Sequence, residues 1–367
     1  MHSLELFSGA GGLAKGLEMA GFEHRAFVEH NRHACASLRT NFTAHRVFQG
    51  DVWDFDLASL GTVDIVAGGP PCQPFSLGGK HQAEADERDM FPAAMRAIEQ
   101  LAPRAFIFEN VKGLLRPSFA TYFQYILLRL AYPEHRVSVH QPWQEHLAQL
   151  QRLRPQHGTG LHYKVHHQLL NAADYGVPQL RERVFIVGIR ADIGQDWAFP
   201  LPTHSEDRLL WEQHISGDYW QRHNVPPQER PETPPSVLEK TQRLQTRYGL
   251  FEPAHRPWKT IRDALHDLPD PRHPHPWADH TLREGARSYP GHTGSDYDWP
   301  AKTIKAGGHG VPGGENMIRY SDGSLRYFTV REAKRIQAFP DDFVIQGAWG
   351  EAMRQIGNAV PVTLGHI

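Results

Sequence analysis

Residues 63–76 read VDIVAGGPPCQPFS, and this stretch decides the fold class. The apolar run Val63–Ala67 is typical of a buried parallel strand, and the Gly/Pro turn that follows places Cys72 at the carboxyl end of that strand. Ligands bind at this edge in open α/β sheets, and prolines on both sides restrict the backbone there. The stretch therefore favours an α/β sheet that presents Cys72 as a nucleophile; a packed structural cysteine is the alternative.

Short apolar runs alternate with helical patterns through the first half of the chain. We expect strands at Leu4–Phe7, Ala26–Glu29, Val63–Ala67, Ala105–Phe108, His162–Leu170 and Val184–Ile189. We expect helices at Leu13–Ala20, Asn31–Asn41, Phe91–Leu101, Tyr122–Ala131, Trp143–Leu153 and Val330–Ala338. This βαβ rhythm predicts an α/β fold with a doubly wound, mostly parallel sheet.

The composition excludes several classes of protein. Two cysteines among 367 residues exclude a disulfide framework, and the 24 histidines show no zinc-binding spacing, so no metal is predicted. The first residues do not resemble a signal peptide, and no apolar run is long enough to span a membrane, so we predict a soluble cytoplasmic protein. The formal net charge of −2 carries no general nucleic-acid signature, and any surface for a polyanion must be local.

The composition changes between Ala191 and Tyr320, where Pro, Trp, His and Arg residues crowd together and sustained periodicity disappears. Long segments of this kind usually have a function, so we predict a second, smaller, loop-rich domain that binds a partner. An irregular surface insertion without a role is the alternative. The predicted domains are residues 1–190 with 351–367, and residues 191–350.

A glycine-rich turn at residues 7–12 joins the first predicted strand to the first predicted helix. Glycines at this place let the main chain approach a nucleoside closely. Glu29 ends the next strand and suits ribose hydroxyls, and Asp51 could accept from an adenine amino group. The turn has no P-loop lysine, which fits a nucleoside cofactor without a phosphate chain, such as S-adenosylmethionine; a dinucleotide stays open from these residues alone.

An acidic motif, Glu109-Asn110-Val111, follows the predicted strand Ala105–Phe108. If that strand neighbours the one that leads to Cys72, Glu109 and Cys72 face one crevice. A thiol beside a carboxyl group suits attack on an electron-poor double bond whose ring nitrogen is protonated in the same event. The alternative is a carboxylate that only caps its own loop.

An arginine motif, QLRER at residues 179–183, leads into a predicted strand. Strand alternation would place Gln179, Arg181 and Arg183 on one face. The two guanidinium groups could then hold a base carbonyl, a carboxylate or phosphates. A solvated strand edge is the alternative.

With these motifs in order, the chain resembles the DNA (cytosine-5)-methyltransferase family, of the bacterial restriction-modification type, over nearly its whole length. The matching stretches are Leu6–Gly12, Gly69–Ser76, Glu109–Val111, Gln179–Arg183, Arg331–Pro340 and Gly357–Pro361. The resemblance implies the Rossmann-like fold of S-adenosylmethionine-dependent methyltransferases with a DNA-recognition domain. It also implies an enzyme that methylates C5 of a cytosine in a specific double-stranded DNA sequence.

The resemblance assigns roles to single residues. Cys72 would attack C6 of a flipped-out cytosine, Glu109 would hold or protonate N3, and Arg183, with Arg181 nearby, would bind the base carbonyl or position Glu109. The cofactor, S-adenosylmethionine, would be bound by Phe7, Gly9, Ala10, Gly11, Gly12, Glu29, His30, Asp51, Val52, Pro71, Asn358 and Ala359. DNA would be contacted by Gln73, Ser76, Lys80, His81 and Arg88. His30 departs from the tryptophan that some members stack on adenine.

The expected partner is double-stranded DNA, and we expect a monomer that serves a restriction or related defence system, with a cognate component of that system as a further partner. A tRNA-methylating member of the same fold is one alternative, but its branch carries a Cys-Phe-Thr triplet, and the cysteines here are Cys35 and Cys72. The other alternative, a catalytically silent DNA-binding regulator, disagrees with the intact catalytic motifs. We expect Cys35 to be a packed core residue.

Overall fold

The computed structural model describes residues 1–42, 46–71, 89–138, 141–153, 160–306 and 316–367. The chain forms two compact units. The first unit comprises Met1–Leu170, Glu182–Phe199 and His366, and the second comprises Asn171–Arg181, Pro200–Gly365 and Ile367. The division into a catalytic and a recognition domain at residues 190 and 351 stays a prediction about function.

The first unit is built on a mostly parallel sheet. Within the described residues its strands are β1 (His2–Leu6), β2 (Glu23–Glu29), β3 (Arg46–Gln49), β4 (Ile65–Gly68), β5 (Ala105–Val111), β6 (Tyr163–Asn171) and β7 (Glu182–Arg190). They lie in the order β3-β2-β1-β4-β5-β7-β6. Pairing is parallel from β3 to β5, and β7 runs antiparallel to β5. The predicted fold class is therefore confirmed.

Helices of the first unit connect these strands. They are α1 (Gly12–Met19), α2 (Arg32–Asn41), α3 (Phe91–Leu101), α4 (Ala120–Ala131) and α5 (Trp143–Leu150). The Asn31 side chain caps α2 by accepting from the main-chain N–H groups of His33 and Ala34. Apolar side chains of α3, among them Phe91 and Ile98, pack with Leu4 and Phe106 of the sheet in one buried core. Apolar side chains cover the sheet. In folds of this kind the polar groups that bind ligands lie at the carboxyl ends of the strands.

The observed elements follow the predicted ones closely in the first unit, with two differences. Strand β5 continues through Val111, so Glu109 lies inside the strand and does not follow it. Strand β7 begins at Glu182, so the expected alternation of Gln179, Arg181 and Arg183 along one strand is wrong.

The second unit contains helices and short strands. Its helices are α6 (Glu206–His214), α7 (Asp218–Arg222), α8 (Pro235–Tyr248), α9 (Ile261–Leu265), α10 (Val330–Ile336), α11 (Trp349–Asn358) and α12 (Val362–His366). Its strands are β8 (His204–Ser205), β9 (Arg256–Pro257), β10 (Ser295–Asp296), β11 (Met317–Arg319) and β12 (Leu325–Tyr327).

Helices α6 to α9 lie in the region for which the sequence predicts loops and short strands, although most described residues of that region belong to no helix or strand. Helix α8 is 14 residues long, but only Thr241 and Leu244 of it are buried. Such a narrow apolar stripe leaves little periodicity in the sequence. Among the described residues, no helix has the length and apolar character that a membrane span requires.

Candidate active site

An ion pair joins the neighbouring strands β5 and β7 near the carboxyl end of β5. Nε of Arg183 lies 2.8 Å from Oε1 of Glu109, and the two side chains are only 14% and 10% exposed. Val111 and Arg183 are directly opposite in the antiparallel register, which brings Arg183 beside the end of β5. The contact is an ion pair by distance, and Oε1 of Glu109 has no partner with hydrogen-bond geometry among the described residues.

The loop that leads to Cys72 starts beside this pair. Strands β4 and β5 are parallel neighbours, with Gly68 opposite Phe108, as the crevice hypothesis requires. A Cβ atom at Gly69 would lie 3.5 Å from Oε2 of Glu109, so the main chain passes close to the carboxylate. At Gly68 a Cβ atom would collide with the carbonyl oxygen of Leu6, so only glycine fits there.

Two hydrogen bonds fasten the Pro70-Pro71 segment. The Asn110 side chain donates to the Pro70 carbonyl at 3.0 Å, and the Met90 main chain donates to the Pro71 carbonyl at 3.2 Å. Asn110 is buried and also accepts from the N–H of Val111. The acidic motif thus fixes the start of the Cys72 loop, a role for Asn110 that sequence reasoning missed, although the residue stands inside the motif.

The glycine-rich turn is organised by Glu29. Its Oε2 accepts from the Gly9 N–H at 2.8 Å and its Oε1 from the Asn31 N–H at 2.7 Å. Glu29 ends β2, so the carboxylate ties the first turn to the start of α2. Each oxygen keeps a second lone pair for another donor.

Gly9 and Gly11 of this turn have different surroundings. Gly9 has a positive φ of 54°, and a Cβ atom there would meet nothing within 4 Å, so its main chain borders open space. Gly11, with φ 89°, packs against Phe42 and Leu38, which a Cβ atom would approach to within 2.8 and 2.9 Å. Gly11 therefore seats α1 on α2, and Gly9 leaves room for a ligand.

The other predicted cofactor residues of the first unit lie at the same carboxyl edge or in the turn. Asp51 is exposed after β3, and its side chain caps the following turn by accepting from the Trp53 N–H at 3.0 Å. Val52 is buried, whereas His30 and Pro71 are exposed. Phe7 is half-buried, and Ala10 and Gly12 are buried.

Arg181 lies in a different environment from Arg183. It is 1% exposed and donates to the main-chain carbonyls of Ile304, Gly357 and Ala359 at 3.3, 2.8 and 3.0 Å. All these residues belong to the second unit. The contacts make Arg181 a support for the main chain, and its catalytic assignment stays a prediction.

A buried amide network accompanies Arg181. The Gln179 side chain donates to Oε1 of Gln337 at 3.1 Å, and Gln337 donates to the carbonyls of Ile356 and Ala359. Sequence reasoning missed Gln337; its position in the Arg331–Pro340 motif was the available signal. Two of the predicted cofactor residues belong to the second unit: Asn358 is exposed and Ala359 is buried.

Several predicted residues lie outside the described part of the chain. They are the nucleophile Cys72 and the DNA-contacting residues Gln73, Ser76, Lys80, His81 and Arg88. Among the described residues, no group of three or more His, Cys, Asp or Glu side chains could hold a metal ion. Cys35 is buried in the first unit, as expected.

A second buried acid, Glu5, lies in the middle of β1. It is 1% exposed, and its Oε1 has no hydrogen-bond partner among the described residues. Burial raises the pKa of this carboxyl group to about 8. Glu5 is therefore protonated at neutral pH. The apolar sequence pattern of this strand does not indicate this protonation state.

Comparison with known proteins agrees with this geometry. The family model for C-5 cytosine-specific DNA methylases matches residues 1–140 and 156–367. The chain belongs to this family and is a DNA (cytosine-5)-methyltransferase. It is 32% identical over 364 residues to Type II methyltransferase M.NgoMIV of Neisseria gonorrhoeae, covering 98% of this chain and 93% of the relative. It is 30% identical over 368 residues to Type II methyltransferase M.PspPI of Psychrobacter sp., covering 98% and 76%.

Solved structures share the fold at lower identity. The Dnmt2 methyltransferase of S. pombe matches with a TM-score of 0.59 at 17% identity, covering 99% of this chain and 95% of that one. The methyltransferase EhMeth of Entamoeba histolytica matches with a TM-score of 0.56 at 15% identity, covering 100% and 95%. At these identities the likeness supports the fold alone.

Proposed function

We propose that this enzyme methylates C5 of a cytosine in a specific double-stranded DNA sequence, by flipping the base out and attacking it with Cys72. The observation that carries the proposal is the Glu109–Arg183 ion pair beside the fastened start of the Cys72 loop. A carboxyl group near the start of a loop that carries a thiol suits addition to a pyrimidine ring.

The covalent step begins with the thiol of Cys72 in its ionised form. The Cys72 thiolate forms a bond to C6, and the electron pair of the C5–C6 double bond makes C5 nucleophilic while Glu109 holds a proton at N3. After C5 gains the methyl group, a base removes the C5 proton, the double bond returns and the thiolate leaves. Arg183 keeps the Glu109 carboxyl group in place.

The cofactor proposed is S-adenosylmethionine, which would supply an electrophilic methyl group when bound and would leave as S-adenosylhomocysteine. The open main chain at Gly9 and the exposed carboxylate of Asp51 fit a nucleoside at the sheet edge. Glu29, held by two N–H groups, retains lone pairs for ribose hydroxyls. His30 is exposed beside it and is available for stacking on adenine.

Base flipping follows from the position of the attacked atom. C6 lies inside the base stack of a duplex, and unstacking a base costs a few kcal/mol. The segment Ser76–Arg88, with Lys80 and His81, would contact phosphates around the flipped base. The Ala191–Tyr320 region would read the sequence through the major groove.

The biological role proposed is modification within a restriction or related defence system. The relatives named above are Type II methyltransferases, which supports this role. The tRNA alternative needs a Cys-Phe-Thr triplet, and this chain has no cysteine besides Cys35 and Cys72.

Bisulfite sequencing of plasmid DNA from cells that express the protein tests the proposal. We expect protected cytosines at one recurring sequence, and none in cells that express Cys72→Ser, because a hydroxyl group is a much weaker nucleophile than a thiolate. Plasmid without protected cytosines, from cells that contain the folded wild-type protein, would contradict the proposed function.

A further inference from the structure

A small parallel strand pair in the second unit brings two chain segments together. His204 of β8 lies opposite Arg256 of β9, and the Arg256 N–H donates to the Thr203 carbonyl at 3.0 Å. Because the strands run parallel, the residues that precede each strand emerge at the same end. Leu201 precedes β8, and the turn after α8 precedes β9.

This end carries an unusual amount of exposed apolar surface. Leu250, Leu201 and Phe251 are 99%, 83% and 80% exposed, more than any other large apolar side chain among the described residues. The turn is ordered by main-chain hydrogen bonds, from Phe251 to the Tyr248 carbonyl at 3.0 Å and from Gly249 to the Gln245 carbonyl at 2.9 Å. Ordered apolar side chains in water usually indicate a contact surface.

Two cationic side chains, Arg256 and Lys259, lie in β9 and just after it, close in the chain to His255. His255, Arg256 and Lys259 are exposed, and none has a carboxylate within ion-pair distance in the described part of the chain. Burial is the main cause that lowers the pKa of neighbouring His204 to about 4, and the charges of Lys259, Arg256 and His255 act in the same direction.

Nearby cations of the same unit differ, because acids compensate them. Lys240 pairs with Glu206 at 2.7 Å, and Arg243 lies 3.5 Å from Glu239. Exposed cations next to ordered apolar side chains match the chemistry of a nucleic-acid backbone, where phosphates alternate with apolar deoxyribose.

We propose that this surface, formed by Leu201, Leu250, Phe251, His255, Arg256 and Lys259, docks on the sugar-phosphate backbone of the DNA substrate. Arg256 and Lys259 contact phosphates, and Leu250 with Phe251 packs against the groove wall. The proposal rests on DNA being the substrate. Since phosphates carry no sequence information, the surface adds affinity at every sequence and leaves the target motif unchanged.

The test compares charge variants in a DNA-binding titration at several salt concentrations. We expect Arg256→Gln/Lys259→Gln to reduce the slope of log affinity against log salt by about 2, because each phosphate contact contributes ~0.9. The matched control, Lys240→Gln/Arg243→Gln, removes the same net charge from compensated positions and should keep the wild-type slope. An unchanged slope in the first variant, or an equal loss in both, overturns the proposal.

A second pair of variants tests the apolar part. Leu250→Ser/Phe251→Ser should weaken binding about tenfold at every salt concentration, because buried apolar area does not depend on counterion release. Leu238→Ser, on the half-exposed side of α8, should bind as the wild type does. Equal affinity of both variants overturns the apolar contact.

Bisulfite sequencing separates the two proposals. If the wild type methylates one motif and the surface variants bind DNA normally, only the docking surface is wrong. If the folded wild type protects no cytosine, the proposed function fails as well. A surface variant that changes the methylated motif contradicts a backbone-docking role.

Discussion

The two units of this enzyme bury charged groups in different ways. In the first unit, the ion pair Glu109–Arg183 lies at the sheet edge, and Glu5 is buried in β1 without a partner for its Oε1. In the second unit, Arg181 donates to three main-chain carbonyls, and Lys334 lies 2.7 Å from Asp279 and donates to two more carbonyls.

This difference indicates a division of labour. A buried cation that donates to main-chain carbonyls positions the backbone, and removing it takes donors away from buried acceptors. The Glu109 carboxyl group, in contrast, lies at ion-pair distance from the Arg183 guanidinium. Residue type therefore does not decide the role. Arg181 and Arg183 are two positions apart, yet Arg181 donates to main-chain carbonyls and Arg183 pairs with Glu109.

The largest effect should follow from Glu109→Gln. We expect turnover to fall about 10²–10⁴-fold with little change in DNA affinity, because the amide cannot transfer a proton to N3. Single-turnover methylation with saturating cofactor measures this. The control is Glu182→Gln, an exposed carboxylate of the same sheet that pairs with Lys112. A normal rate in Glu109→Gln would remove this residue from the chemistry.

Arg181→Met should act on stability. Three buried carbonyls would lose the donors of Arg181, although the Ala359 carbonyl still accepts from Gln337, and we expect the free energy of unfolding to fall by about 3 kcal/mol in urea denaturation. Arg183→Met should leave the urea midpoint nearly unchanged and lower turnover, since Arg183 positions Glu109. If Arg181→Met keeps full stability and loses methylation, the contrast between the two arginines is wrong.

A further effect, on the pH dependence of stability, concerns Glu5. The pKa of its carboxyl group is about 8 in the folded protein, against an ordinary value of 4.5. Below pH 4.5 both states are protonated; between 4.5 and 8 only the unfolded state loses the proton. Stability should therefore fall as pH rises through this window, by up to about 1.4 kcal/mol per pH unit, and then level off.

Glu5→Gln should remove this part of the pH dependence, because the amide does not ionise. Urea denaturation at pH 5, 6.5 and 8 measures the difference between variant and wild type, and the variant should gain most at pH 8. Parallel pH profiles for the two proteins would show that Glu5 ionises without penalty in the folded state.

Local patterns were sufficient to predict most of the first unit. The bounds of α3 agree at both ends, and β4 and β5 are the neighbours that the crevice hypothesis needed. Periodicity reports burial along one element, and these elements are amphipathic or wholly apolar. The Glu109–Arg183 pair agrees with the position of the two motifs, which lie at the same end of neighbouring strands.

The rest depends on contacts between residues far apart in the chain. Gln179 and Arg181 meet partners near residues 304, 337 and 357–359, and alternation within five residues carries no information about them. The protonated state of Glu5 depends on the layers packed over β1, which is a property of the folded unit. Helix α8 has too few buried residues to leave a pattern.

The central claim is that Cys72, with Glu109 beside its loop, attacks cytosine covalently. DNA that contains 5-fluorocytosine at the methylated position tests it most directly, because fluorine cannot leave as a proton does. With cofactor present, we predict a complex of wild-type protein and DNA that survives denaturing electrophoresis, and none with Cys72→Ser. If the wild type methylates C5 of the normal site but forms no such complex with the fluorinated one, the covalent mechanism is contradicted.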